Sequence, residues 1–169
     1  MKLPESQGFD FILTITDHNC TKMSRFIPCR EEINVEESAA LYAKHVCPSH
    51  GLPSKIISNR DPRFASRFTR ELCNILGIKQ NISTAYHPCT NGQSERTNQW
   101  LEQYLCFWTN ERQDNWAAYL PMTEFIHNNW PNETTCESPF FLLMGYSPHT
   151  DWTEGPSPIP QVSLHLDQF

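Results

Sequence analysis

The stretch Lys55-Ile56-Ile57-Ser58-Asn59-Arg60-Asp61-Pro62-Arg63-Phe64 decides the fold, together with the apolar series Phe64, Phe68, Leu72, Ile75 and Leu76 that follows it. Lys55 to Ser58 is too short for a helix and ends in a turn-like Asn-Arg-Asp-Pro, which predicts a buried strand running into a polar loop. The series from Phe64 recurs every three or four residues and stops at Gly77, the pattern of an amphipathic helix with a glycine C-cap. Ile78 to Ser83 then reads as another strand. Strand, helix and strand in this order, joined by short turns, predict an α/β domain with some parallel pairing.

Upstream, Phe9 to Thr16 is rich in aromatic and β-branched residues, and Phe26-Ile27-Pro28 follows a polar turn, so a hairpin is expected. Ala39, Leu41, Tyr42 and Val46 recur at helical spacing behind Asn34, a natural N-cap, and Gly51-Leu52-Pro53 supplies a stop. Downstream, a long helix is expected from about Gln93 to Thr109, with Leu101, Tyr104, Leu105 and Trp108 along one side. Glu95 falls roughly 130° from the centre of that stripe and should face a polar site. Trp116, Tyr119, Leu120, Met122, Phe125 and Ile126 predict a further helix over 116–129, interrupted early by Pro121. Ser138 should cap a short helix through Met144, with Pro139 at its first position. The Gly155-Pro156-Ser157-Pro158-Ile159-Pro160 segment favours an extended linker, so the expected division is a domain over 1–150 and a linker over 151–169.

The 169 residues, 38% apolar and 19% charged, suit one folded domain. No apolar run approaches the roughly 18 residues of a membrane span, and the N-terminal residues lack a secretory pattern. A nuclear or cytoplasmic location is expected. Seven cysteines, an odd number without any Cys-x-x-Cys, point to free buried thiols. His45, Cys47 and His50 lack the partner pair a zinc site needs. A net charge of −6 argues against a strong nonspecific grip on DNA.

Six segments in order carry a resemblance: Asp17-His18-Asn19-Cys20-Thr21-Lys22-Met23, His50-Gly51-Leu52-Pro53, Ser58-Asn59-Arg60-Asp61-Pro62-Arg63-Phe64, Ser83-Thr84-Ala85-Tyr86-His87-Pro88, Asn91-Gly92-Gln93-Ser94-Glu95-Arg96-Thr97-Asn98-Gln99 and Ser138-Pro139-Phe140. The chain resembles the integrase catalytic core of gypsy-type LTR retrotransposons, a branch of the retroviral integrase superfamily. The resemblance implies an RNase H-like three-layer fold: a mixed five-stranded sheet flanked by helices, with the first strand largely truncated to Met1–Leu3. It also implies a polynucleotidyl transferase that holds two Mg²⁺ or Mn²⁺ ions with two Asp and one Glu.

The family's first Asp would lie just ahead of Met1, and the second stands where this chain has Asn59. The Glu is Glu95, and thirty-five residues separate it from Asn59, the family spacing. An amide offers one neutral oxygen where a carboxylate offers two charged ones, so the triad is incomplete and an inactive core is expected. Asp61 and Asp17 read as turn and structural residues, not substitutes. Tyr86 and His87 fall where the family places DNA-contacting residues, and Gln93, Arg96 and Asn98 are positioned to touch phosphates or bases from the helix N-terminus. DNA and further copies of the chain are the implied partners. Asn59, Asn91, His18 and Cys106 each differ from the usual family residue in a way that one C-to-T change explains, which fits a decayed element. A host-adopted, non-catalytic binding or scaffold module is the alternative.

Overall fold

The computed structural model describes residues 1–53, 55–57, 62–77, 83–85 and 92–149. Strand β1 (Lys2–Ser6) turns at Gln7-Gly8 into β2 (Phe9–Thr16), which is followed by β3 (Ser24–Cys29). These form an antiparallel sheet in the order β1-β2-β3, with Thr14 opposite Phe26 and Thr16 opposite Ser24. Helices α1 (Val35–His45) and α2 (Cys47–His50) precede β4 (Lys55–Ile57), α3 (Pro62–Leu76) and β5 (Ser83–Ala85). Strands β4 and β5 pair in parallel, Ile57 beside Ala85, as the strand–helix–strand reading requires. Three more helices follow among the described residues: α4 (Gly92–Trp108), α5 (Trp116–Asn129) and α6 (Pro139–Met144). The five strands are therefore mixed in direction, with the ladders of the described residues falling into a group of three and a group of two.

Local chemistry sets several boundaries. Asn34 Oδ1 accepts from the Glu37 amide at 2.7 Å while the Glu37 carboxylate accepts from Asn34 N at 3.3 Å, a reciprocal cap at the start of α1. Ser138 Oγ accepts from Phe141 N at 3.1 Å, Pro139 opens α6, and Gly145 ends it at φ +78°, where a side chain would be strained.

Three expectations need correction, and a fourth lies mostly outside the described residues. The first strand is not confined to Met1–Leu3 but continues to Ser6, because the Gln7-Gly8 turn folds it back on β2. Of the expected strand over 78–83, residues 78–82 lie outside the described residues, and the described strand runs Ser83–Ala85. Pro121 does not interrupt α5; it removes one bond, to the Ala117 carbonyl, and burial of Trp116, Leu120 and Thr123 on the same helix holds the rest. None of the six described cysteines is in a disulfide, yet of these only Cys29 is buried.

Two apolar clusters organise the layers. Ile12 and Phe26 of the three-stranded sheet pack against Leu101 and Leu105 of α4 and Trp116 and Leu120 of α5. On the other side Ala39, Phe68 and Leu72 join α1 to α3, with Tyr42 edge-on to Phe68 at 5.7 Å and Ile56 of β4 against them. Helix α5 does more than cover the sheet. Asn128, fully buried, accepts from Ser24 N at 2.9 Å and donates to Ser24 O at 2.8 Å. One turn earlier the Glu124 carboxylate accepts from Phe26 N at 2.8 Å and from Arg25 Nη1 at 2.6 Å. The outer edge of β3 is thus satisfied by side chains of a helix, which blunts an otherwise open ladder.

His127, also on α5, lies between the rings of Trp100 (4.6 Å) and Phe26 (5.5 Å). Burial drives its pKa down to about 4 from the ordinary 6.5. The unfolded chain therefore binds a proton here that the folded chain refuses, so this contribution to stability is full above pH 6.5 and drains away as the pH falls toward 4. The loss is expected to be about 2–3 kcal/mol. Urea unfolding at pH 7 and pH 4.5 checks it, with His127→Phe expected to flatten that part of the profile; an equal slope in the variant would rule His127 out as the source.

Candidate metal and nucleic-acid site

Glu95 sits in the first turn of α4, exposed, turned roughly 120° and 80° around the helix from the buried Leu101 and Leu105. That placement follows from helical periodicity: the two leucines turn the helix onto the sheet and so turn Glu95 outward. An acidic group in a first turn is also where the helix dipole favours negative charge. Arg96 is exposed beside it, Gln93 and Asn98 are half-buried, and Thr97 is buried. The Asn98 Oδ1 atom is buried without a hydrogen-bond partner among the described residues.

Asn59, Tyr86 and His87 lie outside the described residues, as does Asp61. The strands that lead to them do not: β4 ends at Ile57 and β5 at Ala85, side by side in parallel register. The carboxyl ends of neighbouring parallel strands are where α/β sheets gather ligand groups. Among the described residues no three His, Cys, Asp or Glu side chains stand close enough together to hold a metal.

Asp17 has a different job. Its carboxylate accepts from Thr21 N (2.8 Å), Thr21 Oγ1 (2.9 Å), Asn19 N (3.2 Å) and Cys20 N (3.3 Å), which ties the β2–β3 loop into a closed turn. Burial alone would raise its pKa, but those donors outweigh burial and hold it below the usual carboxylate value. Its lone pairs are committed to the turn. In the α1–α2 region burial lowers the pKa of His45 and His50, with the Arg25 charge nearby adding to it, and raises that of the Cys47 thiol. A thiol shifted upward is a poor nucleophile and a poor metal ligand near neutral pH.

One residue of this neighbourhood escaped the sequence reading. Lys22, at the end of the Asp17 turn, donates from Nζ to the His18 carbonyl and to Gln93 Oε1, the latter at 3.3 Å, and so bridges the β2–β3 loop to the start of α4. The signal lies in the tertiary fold, since seventy-one positions separate the partners.

No protein-family model matches the sequence. The chain is 30% identical over 155 residues to the Transposon Tf2-3, Tf2-4 and Tf2-5 polyproteins of Schizosaccharomyces pombe, a match that takes in 92% of this chain. It spans 12% of the length of those relatives. Among solved structures it is similar to the HTLV-2 integrase catalytic core domain, which was solved in complex with magnesium in a trimeric form. The superposition covers 82% of this chain and 88% of that one at a TM-score of 0.53 and 18% identity. At that identity the likeness speaks for the fold, while the polyprotein match speaks for descent. Taken together, the chain is similar over 92% of its length to a segment of transposon polyproteins and shares the fold of an integrase catalytic core domain.

Proposed function

We propose that this chain is the core of a polynucleotidyl transferase that has lost strand transfer, because Asn59 stands where the second metal-binding Asp belongs. Glu95, exposed in the first turn of α4 and off its buried stripe, is the observation that carries the reading. In-line displacement at a phosphodiester needs two divalent cations about 3.5–4 Å apart, each held by hard anionic oxygens. Glu95 supplies one carboxylate, and where the second is needed Asn59 offers a neutral amide oxygen, which does not offset the charge of Mg²⁺ or Mn²⁺.

Tyr86, His87, Gln93, Arg96 and Asn98 are proposed as DNA contacts around the carboxyl ends of β4 and β5 and the first turns of α4. With a net charge of −6, such contact is weak and salt-sensitive. Self-association and a nuclear site of action fit the same reading, with the core over 1–150 and residues 151–169 serving as a linker. Among the described residues no helix is long and apolar enough to cross a membrane.

The test is Mg²⁺-dependent strand transfer on a short DNA duplex. The chain as it stands should join nothing; Asn59→Asp, in a chain extended by an Asp-bearing first strand, should join ends and lose that activity on Glu95→Gln. Joining by the unaltered chain, abolished by Glu95→Gln, would falsify the loss of chemistry.

A further inference from the structure

Lys22 has a positive φ of 62°, in the left-handed region that glycine occupies freely and a residue with a β-carbon occupies only under strain. Its neighbours explain how the strain is held. Thr21 and Met23 on either side are buried, at 5% and 3% exposure, and Asp17 fixes the turn through both Thr21 donors. Met23 O accepts from Asp17 N at 2.8 Å, closing the loop at its base. Within this frame the Lys22 ammonium reaches inward to the His18 carbonyl of its own loop and across to Gln93 Oε1. Gln93 precedes Glu95 by two residues in the same first turn. Such strain is retained where the surrounding structure over-determines it, and here what it places is one cation against the start of one helix.

We infer that Lys22 is a positioning residue that clamps the β2–β3 loop onto the first turn of α4 and so sets where Glu95 stands. The inference rests on the proposed role of Glu95, and it assigns to Lys22 no contact with substrate. The first four amides of a helix lack intrahelical acceptors, so an end of this kind frays unless something outside the helix holds it. Lys22, a donor only, satisfies none of those amides; it holds the turn through the Gln93 side chain.

The test is amide hydrogen exchange on the unaltered chain and on Lys22→Gly, Lys22→Met and Lys22→Arg. The amides of Arg96, Thr97 and Asn98 report on the turn, since helical bonding directs them to the carbonyls of Gly92, Gln93 and Ser94. In Lys22→Gly and Lys22→Met these three should exchange about three- to tenfold faster. Leu101 and Leu105 should keep their protection, and the melting temperature should hold, or rise in the glycine variant as strain is relieved. Lys22→Arg, which keeps a cationic donor within reach, should restore slow exchange. Unchanged exchange at the three amides in both the Gly and Met variants overturns the clamp; so does uniform acceleration along α4 with a lower melting temperature, which marks a merely structural residue. A Mn²⁺ titration of Asn59→Asp, read as paramagnetic broadening at the same amides and its loss when Glu95→Gln is added, tests the metal reading of Glu95 separately. Absence of broadening in Asn59→Asp overturns that reading, while the exchange pattern alone decides the clamp.

Discussion

Asn128→Leu is expected to lower unfolding stability by about 3–5 kcal/mol, a large share of the 5–15 kcal/mol typical of a domain. Asn128 and Ser24 are both fully buried, and the amide meets Ser24 N and Ser24 O at once. Leucine fills the same space and adds apolar surface, yet it leaves a buried peptide N–H and a buried C=O without partners. Each such orphan costs about 1–3 kcal/mol, more than the added apolar area returns. Asn128→Asp makes a sharper comparison: the carboxylate can still accept from Ser24 N but has no proton for Ser24 O and brings a buried charge. Both variants should shift the urea midpoint strongly at pH 7, with the aspartate recovering in part at low pH as it protonates. A leucine variant as stable as the parent would mean that water or a local shift satisfies Ser24.

Trp116→Ala should cost about 3–5 kcal/mol, the range for emptying a large aromatic site. Trp116 has no exposed surface and sits in the cluster of Ile12, Phe26, Leu101, Leu105 and Leu120. Its indole Nε1 also donates to the Pro4 carbonyl at 2.7 Å, linking the start of α5 to β1 across 112 positions. Trp116→Phe separates the two contributions. It keeps most of the ring contact and loses the hydrogen bond, so a cost of about 1 kcal/mol is expected, with hydrogen exchange rising in β1 before the rest of the sheet. Equal losses in the two variants would place the energy in the hydrogen bond and not in packing.

Elements written in local chemistry were legible in the sequence. Helix α1 announces itself through Asn34 and Glu37, and α6 through Ser138 and Pro139, because capping groups lie within four residues of what they cap. The outward direction of Glu95 was legible too, since periodicity depends only on the helix that carries it. What stayed hidden depends on distant partners. Strand β1 contains a proline and two charged residues and has little strand propensity; only its pairing with β2 makes it a strand. Glu124 and Asn128 look like the polar face of a helix until β3, ninety-eight and one hundred and four positions away, is seen to use them. Lys22 reads as an ordinary loop cation for the same reason. Within the proposed site, Gln93, Glu95, Arg96 and Asn98 share one helix end, and periodicity alone could group them; Asn59, Tyr86 and His87 belong to it through strand order and family resemblance.

Helix α4 extends about 25 Å, with its carboxylate near one end and its two buried leucines further along. It behaves as a lever whose fulcrum lies in the interior. A volume change at Leu101 or Leu105 that the interior absorbs by tilting the rod is felt as displacement at Glu95, six to ten residues or about 9–15 Å away along the axis. Substitutions in the greasy middle of this rod can therefore misplace its acidic tip without touching it.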